Sequence, residues 1–98
     1  MKRRIKLLPV AEDDLDSSHT WYEKQRSGLG DELVSEVEAE LDRLALHPEH
    51  HPPVFRQVRQ AKIERFSYIV FYRIHGDEIH VLAILHSSRS PRVWRSRA

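Results

Sequence analysis

Cysteine is absent from this 98-residue chain, which excludes disulfide staples and thiolate metal centres and makes the chain compatible with a reducing compartment. Long apolar runs are missing as well. Leu7-Leu8 is followed at once by Pro9, far short of a signal peptide's apolar stretch behind the basic Met1-Lys2-Arg3-Arg4-Ile5-Lys6, and nothing approaches the roughly 20 apolar residues of a membrane span. The expected location is therefore the cytoplasm, with no membrane partner. Glycine is scarce, at three residues, and none builds a phosphate-cradling loop; no serine sits in a Gly-x-Ser-x-Gly elbow. Repeats and low-complexity tracts are also lacking.

What is present suits one small α+β domain spanning 1–98. Apolar residues make up 40% of the chain, enough for one modest core and not two. The net charge of +1 hides an asymmetry. Residues 1–53 carry 7 Lys/Arg against 12 Asp/Glu, and residues 54–98 carry 9 against 3. A basic second half points to a polyanion or an acidic peptide as a partner, unless the two halves simply pack together.

Periodicity divides the chain in the same way. Residues 3–8 read as a strand ended by Pro9. Pro9 then opens a helix with Glu12, Asp13 and Asp14 in or near its first turn, where the backbone dipole favours negative charge. Ala11, Leu15, Ser18 or His19, and Tyr22 form its stripe as far as Lys24 to Arg26. After the break at Ser27-Gly28-Leu29-Gly30, a second helix over 30–46 shows Leu33, Val34, Val37, Leu41, Leu44 and Ala45 on one face. The short link predicts an antiparallel helical hairpin packed on a sheet. His47-Pro48-Glu49-His50-His51-Pro52-Pro53 ends helical structure. A period of two follows, with a short strand near Phe55–Arg59, a long one over 63–74, a turn at His75-Gly76-Asp77-Glu78 and a last strand over 78–86. The order is β-α-α-β-β-β, with a mostly antiparallel sheet and a tail from about residue 92 that has no period and reads as loose.

Ala11-x-x-Asp14-Leu15, Trp21-Tyr22-Glu23, Gly28-Leu29-Gly30, Leu44 with Pro48, Arg65-Phe66-Ser67-Tyr68-x-Val70-x-Tyr72 and His86-x-x-Arg89-x-Pro91-x-x-Trp94 occur in that order over residues 4 to 97. Jointly they resemble the RelE/ParE superfamily of toxins from bacterial type II toxin–antitoxin modules. The resemblance implies a toxin neutralised by a cognate antitoxin in a hetero-oligomer. It also implies one of two targets: DNA gyrase for ParE-like members, or the ribosome and its mRNA for RelE-like members, which cut RNA without a metal.

A metal-free ribonuclease needs two proton-transfer groups and a cation for the phosphorane oxygens. His86, Arg65 and Arg89 are the candidates for that chemistry, because histidine titrates near neutrality and guanidinium groups stay charged. A second proton-transfer group is harder to find. Glu64 is one candidate; the resemblance to RelE-like nucleases implies a lysine-rich or glutamate-bearing second strand and a tyrosine or histidine in the C-terminal segment, whereas the second strand here offers only Lys62 and the tail offers Trp94. The ParE branch is therefore favoured. Arg56, Arg59, Lys62, Arg65, Arg89 and Trp94 are expected to face the target or the antitoxin, and Trp21 with Leu33, Val37 and Leu41 to form the antitoxin's platform. No cofactor is expected. His47, His50 and His51 are clustered imidazoles, but the lack of cysteine and the three prolines argue against a built metal site.

Overall fold

A computed structural model describes residues 2–98; Met1 of the basic opening segment lies outside them. The elements are β1 (Arg4–Leu7), α1 (Pro9–Gln25), α2 (Leu29–Leu46), β2 (Pro53–Phe55), β3 (Val58–Ile63), β4 (Tyr68–His75), β5 (Glu78–His86) and α3 (Pro91–Arg95), with single 3-10 turns at Pro48–His50 and Arg65–Ser67. The sheet runs β1-β5-β4-β3-β2, parallel only between β1 and β5. The expected α+β arrangement of a helical hairpin on a mostly antiparallel sheet is what the chain adopts.

The two helices close on each other through glycine. Gly28 precedes α2 with φ 89, a left-handed conformation open to glycine at little cost. A Cβ at Gly30 would lie 2.4 Å from the His19 carbonyl oxygen, so only glycine allows α1 and α2 this close an approach. Leu33, Val37 and Leu44 of α2 and Ala11 of α1 then bury against the inward side chains Ala61, Ile63, Tyr68, Val70, Tyr72, Ile79, Val81 and Ile84. Tyr72 reaches through this layer to donate to the Pro48 carbonyl at 2.7 Å, and burial pushes its phenol up to about 12.

The opposite face of the sheet is also covered. Phe71, Leu82, Ala83, Leu85 and Val58 form a second apolar layer capped by Trp94 of α3. This corrects the expectation of a loose tail. Trp94 is 5% exposed, stacks on Phe71 with ring centroids 4.7 Å apart and meets Phe55 edge-on. A five-residue helix has no readable period, so its docking rests on one aromatic and on the Ser90 hydroxyl, which accepts from the Arg92 amide at its start.

Two further expectations change. The long strand over 63–74 is two elements, because Phe66 and Ser67 take positive φ (73 and 56) and turn β3 back into β4. The strand near Phe55–Arg59 is likewise a tight hairpin, with Arg56 and Gln57 as its two central residues, both at positive φ.

β5 carries a bulge. Phe71 pairs with Ala83 and Tyr72 with Val81, which leaves Leu82 unopposed. Since β1 ends at Leu7, the free edge of β5 beyond Val81 is finished by side chains. The Asp14 carboxylate accepts from the Ile84 amide at 3.0 Å, and Arg97 donates to the Leu82 carbonyl at 3.1 Å and to Asp14 at 2.6 Å. An ion pair from opposite ends of the chain thus replaces a missing strand partner.

Candidate functional site

A cleft of about 710 Å³ opens where α1 passes over the end of β5, lined by Asp13, Ser17, Trp21, Tyr68, His86 and Arg89 among others. Each wall has a local cause. Asp13, Ser17 and Trp21 project from α1 on the flank of its buried stripe. His86 closes β5 opposite Tyr68, whose hydroxyl bonds Ser18 at 2.9 Å, and Arg89 sits in the β5–α3 loop. Trp21 is 56% exposed and packs edge-on to Tyr22, which continues edge-on to Phe66 and Tyr68. Burial, with Tyr68 alongside, raises the Tyr22 phenol above its ordinary value. Tyr68 also meets the His86 ring edge-on at 5.7 Å. An exposed tryptophan backed by a chain of rings is rigid and apolar, the combination that anchors a bound peptide.

The hydrogen bonds of His86 decide its chemistry. Its Nδ1 accepts the Ser88 amide at 3.0 Å and lies 2.8 Å from the Ser88 hydroxyl. A backbone N–H can only donate, so neutral His86 carries its proton on Nε2. The outward nitrogen is therefore a hydrogen-bond donor without a free lone pair. It can hold an anion, but it cannot take a proton from a 2′-hydroxyl while this loop geometry holds.

The structure brings together only part of the expected cationic site. His86 and Arg89 share the cleft. Arg65 does not line it: its guanidinium pairs with Glu32, and at 3.7 Å with Glu36, on α2, and stacks over Phe66. Those hydrogen bonds from Arg65, followed by those from Arg26, hold the Glu32 carboxyl below its ordinary value. Arg65 thus fastens the β3–β4 turn to the helical hairpin. Arg59 is likewise occupied, donating to the His51 carbonyl at 2.5 Å. Arg56 and Lys62 are exposed, and Lys62 points away from the helices.

Leu33 and Val37 are 0% exposed and Trp94 is nearly buried, so none of the three can offer a contact surface; Leu41 is partly buried against the same core. The helical stripe was used inward against the sheet. The platform that remains is the outer flank of α1 around Trp21.

Among the described residues, the ligand atoms close enough to hold a metal ion belong to His19, Glu23 and Asp31. They already have partners. Glu23 accepts the Gly28, Gly30 and Asp31 amides at 3.1, 2.7 and 3.2 Å, capping α2, and His19 Nε2 lies 2.8 Å from Asp31 Oδ1. The amide of Gly28, then those of Asp31 and Gly30, hold the Glu23 carboxyl below its ordinary range. The positive end of α2 disfavours a cation here. His47 and His50 stack on each other at 5.0 Å while His51 turns to Tyr72.

Reasoning from sequence alone missed Ser88, which sets the His86 tautomer, and Asp14 with Arg97, which close the sheet edge. Ser88 stands two residues beyond His86, a spacing from which it could have been found. The Asp14–Arg97 pair spans 83 positions and carries no local signal.

A β-α-α-β sequence continuing into an antiparallel sheet is the fold of toxins in the RelE/ParE superfamily. Within it, the chain belongs to the family described as "ParE toxin of type II toxin-antitoxin system, parDE", which matches residues 5–91. It is 29% identical over 92 residues to Toxin ParE2 of Mycobacterium tuberculosis, covering 93% of this chain and 88% of that one. In fold it is similar to a chain of the chromosomal ParDE toxin–antitoxin system from P. aeruginosa, with a TM-score of 0.78 and 21% identity over 87% of this chain and 96% of that one. It is also similar to a chain of the RelBE2 toxin–antitoxin complex from Mycobacterium tuberculosis, with a TM-score of 0.65 and 20% identity over 88% and 99% of the two chains. Among the described residues no helix is long and apolar enough to cross a membrane.

Proposed function

We propose that this toxin arrests growth by binding DNA gyrase and that a cognate antitoxin neutralises it by laying a segment into the α1 cleft, both within the cytoplasm. The observation that carries the reading is the state of His86. Family membership supplies two precedents for a target, and a His86 whose Nδ1 accepts a backbone amide lacks the free base that RNA cleavage requires. Arg65, one of the candidate phosphorane-stabilising cations, is engaged by Glu32 and Glu36, while Arg89 remains in the cleft. A binding mechanism needs neither group free.

The cleft supports the antitoxin half. Trp21 offers one large apolar anchor, and Arg89 at the opposite wall suits a carboxylate of an acidic segment. The test is paired. The purified chain is added to gyrase supercoiling a plasmid and, separately, to translating ribosomes. Inhibited supercoiling with intact transcripts is expected. Transcripts cut in the ribosomal A site, with supercoiling untouched, would overturn the reading and make the chain a ribosome-dependent endoribonuclease.

A further inference from the structure

The outer face of the sheet, on the side away from α1 and α2, carries a cluster of cations that folding leaves uncompensated. Arg56 at the β2–β3 turn and Arg95 on α3 both stack on Phe55, each with its guanidinium carbon 5.1 Å from the ring centroid, and Arg95 also lies 5.4 Å from the Trp94 ring. Two positive groups are therefore held within about 10 Å of each other, the sum of two such separations, by one aromatic side chain. Lys62, Arg89 and Arg92 are exposed nearby on β3 and the β5–α3 segment. Among the described residues, the arginines in ion pairs are Arg3, Arg4, Arg26, Arg43, Arg65 and Arg97, and none of Arg56, Lys62, Arg89, Arg92 and Arg95 is paired. Residues 54–98 have only Glu64, Asp77 and Glu78 as side-chain carboxylates, the last two at the far hairpin with Arg4.

The turn that presents Arg56 is itself costly. Arg56 and Gln57 are the central residues of a two-residue hairpin, both at positive φ, in positions that favour Asn-Gly. Strain kept at a surface position together with unpaired like charge is the pattern of a binding feature and not of a stabilising one.

We infer that this face binds the phosphodiester backbone of a nucleic acid, with the Arg56–Arg95 pair over Phe55 as its centre. Guanidinium forks match phosphate oxygens, and stacking on a ring fixes them in place before the ligand arrives. An acidic protein surface fits less well. Among the described residues, the large apolar side chains that remain exposed are Val10, Trp21, Leu46 and Val54, of which only Val54 belongs to the sheet, and the apolar centre of this face is already sealed by α3. A protein partner would lack a central anchor. Spaced cations without such an anchor suit repeated phosphates, and a small cavity of about 180 Å³ between Gln60, Arg89, Trp94 and Arg95 adds donors beside the pair. The inference goes beyond the gyrase reading: the Trp21 cleft and this face meet at Arg89, but the Arg56–Arg95 pair at the centre of the face does not line the cleft, so the double variant tests this face alone.

The test measures fluorescence anisotropy of a labelled random-sequence DNA duplex and of a labelled RNA strand titrated with the full chain, from about 50 to about 200 mM salt. Engagement of all five cations gives a slope of log K against log salt near −4 to −5 for the duplex, at about −0.9 per phosphate. Replacing both Arg56 and Arg95 by alanine should shrink that slope by about 2 and weaken binding roughly 60-fold at 0.1 M salt. Replacing both by lysine should keep the slope, which separates charge from any loss of folding. Lys24→Ala, the same charge change on the helical side, should leave the slope unchanged. Tighter binding to the duplex or to the strand identifies which polymer supplies the phosphates. Failure to bind either polymer at the lowest salt overturns the inference, as does a Lys24→Ala effect equal to that of the double variant, or equally tight binding to polyglutamate.

Discussion

Replacing Trp94 by alanine tests whether the C-terminal helix is part of the fold. A buried tryptophan hides roughly 150–250 Å² of surface, which at about 25 cal/mol per Å² is roughly 4–6 kcal/mol. Denatured chains already bury some of that area, so roughly 2.5–5 kcal/mol is the realistic loss, consistent with the roughly 3–5 kcal/mol typical of Trp→Ala in cores. The stacked contact with Phe71 at 4.7 Å and the edge contact with Phe55 place Trp94 at the upper half of that range. A chain of this length has about 5–15 kcal/mol of total stability, so the loss is a large fraction of it. The assay is equilibrium urea unfolding followed by far-UV circular dichroism. With a slope of about 1–3 kcal/mol per molar urea, the midpoint should fall by roughly 1–5 M while the slope stays unchanged. A midpoint shift below about 0.3 M would mean that the helix lies on the sheet without contributing to it, and the account of the outer core would be wrong.

Further outcomes follow from single contacts. Glu23 is held below its ordinary carboxylate value by the Gly28, Asp31 and Gly30 amides. Because the unfolded chain then binds the extra proton, this contribution is fully present above the ordinary carboxylate value and is lost as pH falls through the depressed one. Glu23→Gln should flatten the acid side of the stability profile, and an unchanged acid limb would remove Glu23 as the cap of α2. Arg56→Asn combined with Gln57→Gly relieves two strained positions and should raise stability by roughly 1–3 kcal/mol in urea unfolding, since each left-handed residue costs about 1–2 kcal/mol. A loss of stability would show that stacking on Phe55 outweighs the backbone strain. Trp21→Ala should leave the unfolding midpoint nearly unchanged because the side chain is exposed, yet weaken antitoxin affinity by about 2 kcal/mol or roughly 30-fold in calorimetry. Unchanged affinity would move the antitoxin off the cleft.

Much of this architecture is legible in residue order, for identifiable reasons. Pro9, Gly28 and Pro48 punctuate the two helices because proline and glycine act on the backbone locally, and the observed bounds Pro9–Gln25 and Leu29–Leu46 follow them closely. The division of β3 from β4 was not legible. Phe66 and Ser67 keep the alternation of a continuing strand but sit at positive φ, a choice enforced by Phe66 packing on Tyr22 and Arg65 reaching Glu32. The site was half legible. Residue types pointed to His86 and Arg89 at one strand end. What residue types cannot carry is which partner each group finds: Arg65 was drawn to α2, and the Ser88 amide fixed the His86 proton on the far nitrogen. The stripe of Leu33 and Val37 had one face to spend, and the sheet took it.

The Asp14–Arg97 clasp also orders events in time. Its partners are 83 positions apart, and β5 keeps an open edge until the second arrives. At a synthesis rate of about 5–20 residues per second, an interval of roughly 4–17 s separates the making of one from the other. Once residue 46 has been made, and for the rest of that interval, the emerging polypeptide has the residues of its helical hairpin but an unfinished sheet. The edge of β5 is therefore the last part of the sheet to be closed, and its closure waits on Arg97.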